Sequence, residues 1–329
     1  MTIQGTATEP FGPAAAVEPA RPLLASDRSF SLTLGMPHLG RNNLSESALY
    51  RDLGHARWEH LESLGGTPTA QIVDDQGARL YPTFFFIELD VPPERPLSAY
   101  GENARLEFIA DLRHHGRTHL DGSFRMISGH GTIRLGNVFV HQRHGPAQLA
   151  VAFPANVDFT SIPPLAEGLD SLTSCKQARL AGRFDGSRRG DIPLFEGERR
   201  FDYCIDPDRD LNGAGLVYFI HYVTILDTAE RRILSELECP VPSRLVDSRS
   251  TYHRRMAYFG NSADDDTLLI YTRARARRCP EAGKDCIDIG CEQRIVRRSD
   301  GRQIALSASR KIAVVDDAAS RDWSRCLDA

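Results

Sequence analysis

Apolar residues recur along this chain in two rhythms, and the same succession of rhythms appears twice. In "RNNLSESALYRDLGHARWEHLESLGG" Leu44, Ala48, Leu53, Trp58 and Leu61 recur at helical spacing, with Gly65-Gly66 behind them. That predicts a helix closed by the glycines, which tolerate the left-handed conformation of a helix end. Asn43 or Ser45 is the expected N-cap, because a short polar side chain can accept from the free N–H groups of a first turn. Extended runs follow. "ARLYPTFFFIELDV" is aromatic, and "ARLEFIADLRHHG" sets Leu106, Phe108, Ala110 and Leu112 on one face by alternation. "THLDGSFRMISGHGTIRL" and "NVFVHQRH" continue the series.

The second half repeats the order. "RRFDYCIDP" reads as a strand leading into "DLNGAGLVYFIHYVTILD", residues 210–227, where a helix is predicted to open at the Asn212-Gly213 turn and run to about Leu237. Leu216, Val217, Phe219, Ile220, Val223, Ile225 and Leu226 cover nearly every side of it, and a helix apolar all round is a buried helix. Four strands follow: "RSTYHRRMAYFGN", "DTLLIYTRARARR", "IDIGCEQRIVRRSDG" and "RQIALSASRKIAVV". Each half is therefore one long helix followed by antiparallel strands. The predicted class is α+β, with two antiparallel sheets each wrapped around a long central helix, the shape of a double hot-dog. The expected boundaries are a disordered tail over 1–29, rich in Pro, Ala, Thr and Glu, then a first hot-dog domain over 30–145. A Pro- and Gly-rich connector with one short helix follows over 146–195, and a second hot-dog domain over 196–329.

Composition narrows the classes of function. A length of 329 residues fits two domains. A net charge of −4 argues against a nucleic-acid partner, which calls for a basic excess. No run approaches the roughly 20 apolar residues that a bilayer needs, and the first residues lack the pattern of a secretory signal. Seven scattered cysteines fit a reducing compartment. A cytoplasmic protein with no membrane partner is expected. Cys279, Cys286 and Cys291 sit close together in "CPEAGKDCIDIGC", and thiolates bind zinc well. With no C-x-x-C pair and spacings of seven and five, structural thiols at a hairpin are expected, and no metal.

Several residues are candidates for chemistry, each with a plain structural alternative. A helix start written Asn212-Gly213-Ala214-Gly215 has almost no side chains, so a ligand carbonyl can approach the backbone N–H groups and the positive helix end. The same glycines serve equally to pack a capped helix. The preceding "DPDRD" opens like a calcium loop but has Leu211 and Val217 where Gly and Glu are required, so calcium is rejected. Asp227 interrupts the apolar stripe and is either a base of raised pKa or an ion-pair partner of Arg231, the favoured reading. His221 is either a base or a satisfied core histidine. Tyr81 heads the aromatic strand as either a packing ring or a nucleophile. His114, His115 and His119 flank a turn at Gly116 and read as exposed hairpin residues. Arg273, Arg275 and Arg277 alternate on one strand face, either to meet an acidic partner or to keep an edge solvated.

Several stretches resemble a known family. "GMPHLGRNNL", "GHARW", "GARLYPTFFF", "DLNGAGLVYF" with "ILDTA", and "YFGNSADDD" occur in the order and at the spacing of the LnmK-like bifunctional acyltransferase/decarboxylase family of leinamycin-type polyketide biosynthesis. The resemblance spans about residue 35 to about residue 270. It implies a double hot-dog fold with no metal or organic cofactor. It also implies a reaction in which a (methyl)malonyl group is taken from CoA, decarboxylated and delivered as propionyl or acetyl to an acyl carrier protein. The tyrosine that this family self-acylates falls on Tyr81. An enolate left by loss of CO₂ needs N–H donors nearby. The Asn212-Gly213 helix start is the expected source of those donors, with Asn42 and Asn261 as further amide donors. Phe84, Phe86 and Tyr218 are then the expected substrate pocket, with Phe85 in the same water-excluding wall. The chain departs from the family around His38, in having Pro82 directly after the tyrosine, and in the cysteine-containing insertion at 279–291. Two other functions compete. One is a hot-dog thioesterase or dehydratase with Asp227 or His221 as base. The other is a non-catalytic carrier-protein scaffold that uses the arginine strand.

Overall fold

The computed structural model describes residues 26–127, 131–142, 149–165, 171–237, 243–263, 266–279 and 286–314. Most of the predicted tail lies outside the described residues, and its last positions, Arg28 and Ser29, already belong to a strand. The main elements are β1 (Arg28–Thr33), α1 (Glu46–Gly65), β2 (Tyr81–Asp90), β3 (Arg105–Ala110), β4 (Ser123–Met126) and β5 (Thr132–Gln142). They continue as α2 (Ser171–Ala181), β6 (Arg199–Cys204), α3 (Phe219–Ser235), β7 (Ser250–Tyr258), β8 (Thr267–Arg278), β9 (Cys286–Arg297) and β10 (Gln303–Val314).

The strands pair in the order β1–β3–β4–β5–β2–β7–β10–β9–β8, with β6 also on β8. Every pairing among these strands is antiparallel, and with the shorter strands the sheet has 14 strands among the described residues. The two expected sheets are joined edge to edge into one continuous sheet. Its joint is the β2–β7 pairing, from His253 opposite Asp90 to Ala257 opposite Phe86. Both predicted long helices lie on one face and share a single apolar core, in which Leu53, Phe84, Phe219 and Tyr222 meet Ile87 and Met256. At Gly54 α1 lies against α3, since a Cβ there would stand 3.0 Å from the Phe219 ring. The short helix predicted in the connector is α2. It covers the opposite face with Cys175 and Ala178, over Phe85, Phe86, Ala257 and Leu306.

Helix ends show how far local sequence reaches. α1 stops as expected, with Gly66 in the left-handed region at φ 70°. Its N-cap is Ser45, but the Ser45 hydroxyl meets Ser47 Oγ at 3.0 Å and makes no cap bond. α3 corrects the prediction more strongly. It begins at Phe219, with Tyr218 as N-cap, and Asn212-Gly213 is no helix start. The acidic lead forms one helical turn, Pro207–Asp210. Leu211 then pairs with Val217 across a tight loop in which Gly215 has φ 69°. Asn212 Oδ1 accepts from the N–H groups of Ala214 (2.9 Å) and Leu216 (3.2 Å) and so folds the loop on itself.

The aromatic strand is corrected too. A β-bulge between Phe84 and Phe86 adds one residue to β2 against β5. Phe84 faces the helices, whereas both Phe85 and Phe86 face α2. Gly136 leaves room for the Phe85 ring, whose atoms come within 2.8 Å of where a Cβ would stand.

Buried His60 on α1 makes stability depend on pH. Its Nε2 lies 2.8 Å from the Ser26 carbonyl and its Nδ1 has no partner, the pattern of a neutral ring that donates once. Burial, followed by repulsion from Arg57, lowers its pKa to about 4. The unfolded chain, with an ordinary histidine near 6.5, binds this proton first as pH falls, so the folded state loses stability below that value. Going from pH 7 to pH 5 is expected to remove about 2 kcal/mol through this group, read from urea unfolding at both pH values. His60→Gln, which keeps a donor for Ser26, is expected to flatten that slope.

Candidate active site

One large cavity, of about 770 Å³, opens where the α3 lead, the start of β2, the end of β7 and α2 converge. Its helix-side wall is aromatic: Trp58, Phe84, Tyr218, Phe219, Tyr222 and Tyr258 all line it. These rings are fixed by contacts and hydrogen bonds. Phe84 and Phe219 pack in a tilted pair at 4.3 Å between centroids, and Trp58 stacks on Phe84 at 6.0 Å. The Tyr258 hydroxyl donates to the Phe219 carbonyl at 3.0 Å. Burial pushes the phenols of Tyr218, Tyr222 and Tyr258 upward, so each stays protonated and able to donate.

Tyr81 lines the same cavity, with the Arg79 guanidinium 4.7 Å from its ring centre. Pro82 has no N–H, and its carbonyl accepts from Trp58 Nε1 at 3.3 Å and from Asn137 Nδ2 at 3.2 Å. Those two bonds tie the strand beside Tyr81 to α1 and to β5. The first turn of α3 reaches the cavity through Tyr218 and Phe219, and Tyr218 supplies no side-chain cap. The helix start predicted at residue 212 is thus supplied seven residues later, at Phe219.

Asn261 also lines the cavity, but its amide is engaged. Its Oδ1 accepts from Val217 N (3.0 Å) and Ser262 N (2.7 Å), and its Nδ2 donates to the Val217 carbonyl (3.2 Å). The Tyr222 hydroxyl adds a contact at 3.3 Å. One side chain thereby imitates the pairing of a neighbouring strand and clamps the residue just ahead of α3. Asn212 lines the cavity as well, with its Oδ1 spent inside the loop.

Other predicted site residues lie elsewhere. Phe86 is in the core under α2, because the bulge turned it away, and Phe85 lines the cavity in its stead. Gly213 is in the loop beside the cavity, and a Cβ on it would meet no atom within 4 Å. His221 is not part of the cavity lining, although its ring packs 5.8 Å from that of Tyr218, which is, and burial lowers its pKa. Asn42 and Asp227 line a second, polar cavity of about 360 Å³ at the start of α1. There Asn42 Nδ2 donates to the carbonyls of Asp247 and Arg249 (3.1 Å to the latter).

Asp227 does not pair with Arg231, which binds Asp247 instead. Lys311 Nζ and Arg254 Nη2 each hold Asp227 Oδ1 at 2.7 Å. Burial by itself raises this carboxyl, but Lys311 and Arg254 outweigh it and hold it well below the usual range. It is therefore held as an anion at neutral pH, which makes it a weak base. The network continues through Glu230, 2.8 Å from both Lys311 and Arg249, and through Glu46, 2.5 Å from Arg254.

The arginine strand is likewise paired: Arg273 with Glu198, Arg275 with Glu292 and Arg277 with Asp288. The histidine hairpin forms as read, with His115 opposite His119 and Gly116 at φ 61°. His119 departs from that reading by lining the cavity. Cys279 N donates to the Cys286 carbonyl at 2.7 Å, and Cys291 is buried; the residues between Cys279 and Cys286 lie outside the described residues.

Sequence reading missed the cavity's charged side. Leu172, Cys175, Lys176 and Arg179 of α2 line it, and so do Arg297, Asp300 and Arg302 at the β9–β10 turn. The spacing of the four α2 positions carried that signal, since i, i+3, i+4 and i+7 lie on one helix face. The Arg297 guanidinium donates to Asp300 and lowers its pKa to about 2.

Comparison with known proteins supports the fold. No family model matches the chain, and neither does any curated protein. Among solved structures it is similar to an acyl-ACP thioesterase from Bacteroides thetaiotaomicron VPI-5482. The TM-score is 0.52 at 13% identity, over 87% of this chain and 98% of that one. A structure described as an oleoyl thioesterase from Lactobacillus plantarum gives a TM-score of 0.56 at 12% identity, over 89% and 97%. The chain has a hot-dog fold, a largely antiparallel sheet packed on long helices. No helix among the described residues is long and apolar enough to cross a membrane.

Proposed function

We propose that the protein is an enzyme of acyl thioesters, built as two hot-dog units in one chain, that opens the thioester of an acyl-CoA or acyl carrier protein in the 770 Å³ cavity. The observation that carries this reading is the meeting of an aromatic wall with the uncapped first turn of α3 in one cavity. Attack on a thioester carbonyl concentrates negative charge on its oxygen, and backbone N–H groups at a helix start stabilise that charge without reorganising. The acyl group lies on the rings, away from bulk water.

The nucleophile separates two outcomes. In hydrolysis, water adds to the carbonyl, the C–S bond breaks and the thiolate leaves to take up a proton. Similarity of fold to thioesterases favours this outcome, and it is the first reading. Asp227 and His221, the bases expected for it, are outside the cavity lining, so the proton acceptor is another group. The second reading is transfer through an acyl-tyrosine, with decarboxylation of a (methyl)malonyl group and delivery to a carrier protein. Tyr81 in the cavity lining favours it.

The deciding experiment mixes the protein with acetyl-, malonyl- and methylmalonyl-CoA and follows free thiol, free acid and intact protein mass. Hydrolysis predicts thiol and acid in equal amounts with no mass gain. Tyrosine transfer predicts a mass gain that Tyr81→Phe abolishes, its size reporting whether CO₂ has left. Intact CoA esters throughout, including a panel of longer acyl chains, would sink both.

A further inference from the structure

The charged side of the cavity has no role in either reading. Four basic residues line it, Lys176, Arg179, Arg297 and Arg302, against the single acid Asp300, although the whole chain has a net charge of −4. Arg297 is spoken for by Asp300. Lys176, Arg179 and Arg302 are exposed, and no carboxylate among the described residues forms an ion pair with Lys176 or Arg302. Arg179 lies over the Phe259 ring at 5.5 Å, and Phe259 itself lines the cavity. α2 packs on the sheet through Ser171, Cys175 and Ala178, so the helix is held rigidly while Lys176 and Arg179 project from the adjoining stripe. The cavity is thus bipolar, with rings on its helix side and an excess of positive charge at its mouth.

We propose that Lys176 and Arg179 of α2, with Arg302 across the cleft, form an anion-binding mouth for the phosphate of a phosphopantetheine arm, borne either by CoA or by a carrier protein. This rests on the acyl-thioester reading above: with the acyl group on the rings, the arm runs outward and its phosphate emerges among these three cations. Arginine and lysine bind phosphate oxygens with charge-assisted hydrogen bonds. A cleft that focuses one sign of charge also raises the rate at which an anion arrives.

Binding of CoA, 4′-phosphopantetheine and pantetheine to the full chain, followed by calorimetry, tests this without requiring turnover. Wild type is expected to bind the two phosphate-bearing probes at least about tenfold more tightly than pantetheine, and K176E/R179E to lose that margin. Arg302→Glu is expected to lose part of it. All three side chains are exposed, and unchanged melting temperatures would show that the variants fold. Raising salt from about 50 mM to about 500 mM is expected to weaken CoA binding by wild type far more than by K176E/R179E. Phosphopantetheine matching CoA in affinity would identify a carrier's arm as sufficient. CoA alone binding tightly, yet dependent on these residues, would identify the CoA phosphates as the source. Equal affinity of wild type and K176E/R179E for both phosphate-bearing probes would overturn the proposal.

Acyl-N-acetylcysteamine thioesters, which lack phosphate, separate this result from the function itself. Their cleavage alongside unchanged CoA binding in K176E/R179E would sink the mouth and keep the enzyme. CoA binding that depends on Lys176 and Arg179, with no thioester cleaved, would do the reverse.

Discussion

Arg254→Leu is expected to destabilise the folded protein by about 3–5 kcal/mol, measured by urea unfolding at pH 7. The guanidinium of Arg254 is fully buried and touches two carboxylates that have few other partners. Glu46, 7% exposed, would keep only the Tyr50 hydroxyl at 2.9 Å, and its Oε2 already has no partner. Asp227 would keep Lys311, which Glu230 also claims. Removing one member of a buried ion pair leaves the other desolvated and uncompensated, and this penalty is larger than the net worth of the intact pair. Asp227 softens the loss, since its side chain is 37% exposed and solvent screens it. Adding Glu46→Gln to Arg254→Leu is expected to recover part of the loss, because the two changes share one interaction. A loss below about 1 kcal/mol in Arg254→Leu would show that water or relaxation replaces the cation.

The same network sets the response to acid. Asp227 and Glu230 are both held below their ordinary values: burial raises them, and Lys311 with its arginine neighbours overcomes that. A carboxylate with a depressed folded pKa contributes stability above its unfolded value and loses it as pH falls toward the depressed one. Stability is therefore expected to drop steeply below about pH 4, beyond the milder decline that His60 causes between about pH 6.5 and pH 4.

Asn261→Ala is expected to lower kcat/KM for a cleaved thioester by about 100-fold, with most of the change in kcat. On the proposed acyl-thioester reading, Asn261 acts as a positioning residue. Its amide clamps Val217 through both the N–H and the carbonyl, and Val217 is two residues ahead of the first turn of α3. Without the clamp the Val217 N–H loses its acceptor, and the N–H groups of the first turn lose their fixed aim. The interaction proposed for them with an oxyanion would exist only in the transition state, so the loss is expected to fall on kcat and to leave KM nearly unchanged. Lost hydrogen bonds also predict a drop in stability of about 1–3 kcal/mol. Asn261→Asp, which keeps the acceptor for Val217 N and loses the donor to its carbonyl, is expected to fall between wild type and Asn261→Ala in kcat. A stability loss in Asn261→Ala with unchanged kcat would show that the first turn of α3 takes no part in the reaction.

What the sequence by itself determined was local. Gly65-Gly66 marks the end of α1 because a left-handed closing residue is a property of glycine wherever it stands. Alternation of Leu106, Phe108 and Ala110 marks β3 because a strand with one buried face needs nothing beyond its own pleat. The apolar girdle of residues 219–234 marks α3 as buried, and two rounds of helix then strands mark the class of fold.

Tertiary structure decided the features that depend on distant residues. The start of α3 slips from Asn212 to Phe219 because Asn261, 44 residues beyond Val217, holds the intervening loop in an extended pairing. Asp227 takes Lys311, 84 residues away, in preference to Arg231 one turn along its own helix, because β10 runs beneath α3 and places the ammonium in a drier setting. Phe86 leaves the cavity and Phe85 enters it because of a bulge that only the pairing of β2 with β5 defines. Tyr81 and Tyr218 line one cavity, whereas Asn42 lines another, at the start of the other long helix. A chemical type can be read from a residue, but its neighbours across the sheet are chosen by the fold. The cations of α2 show this most plainly: their spacing is visible in the chain, and the cavity they face exists only once β2, β7 and the α3 lead have met.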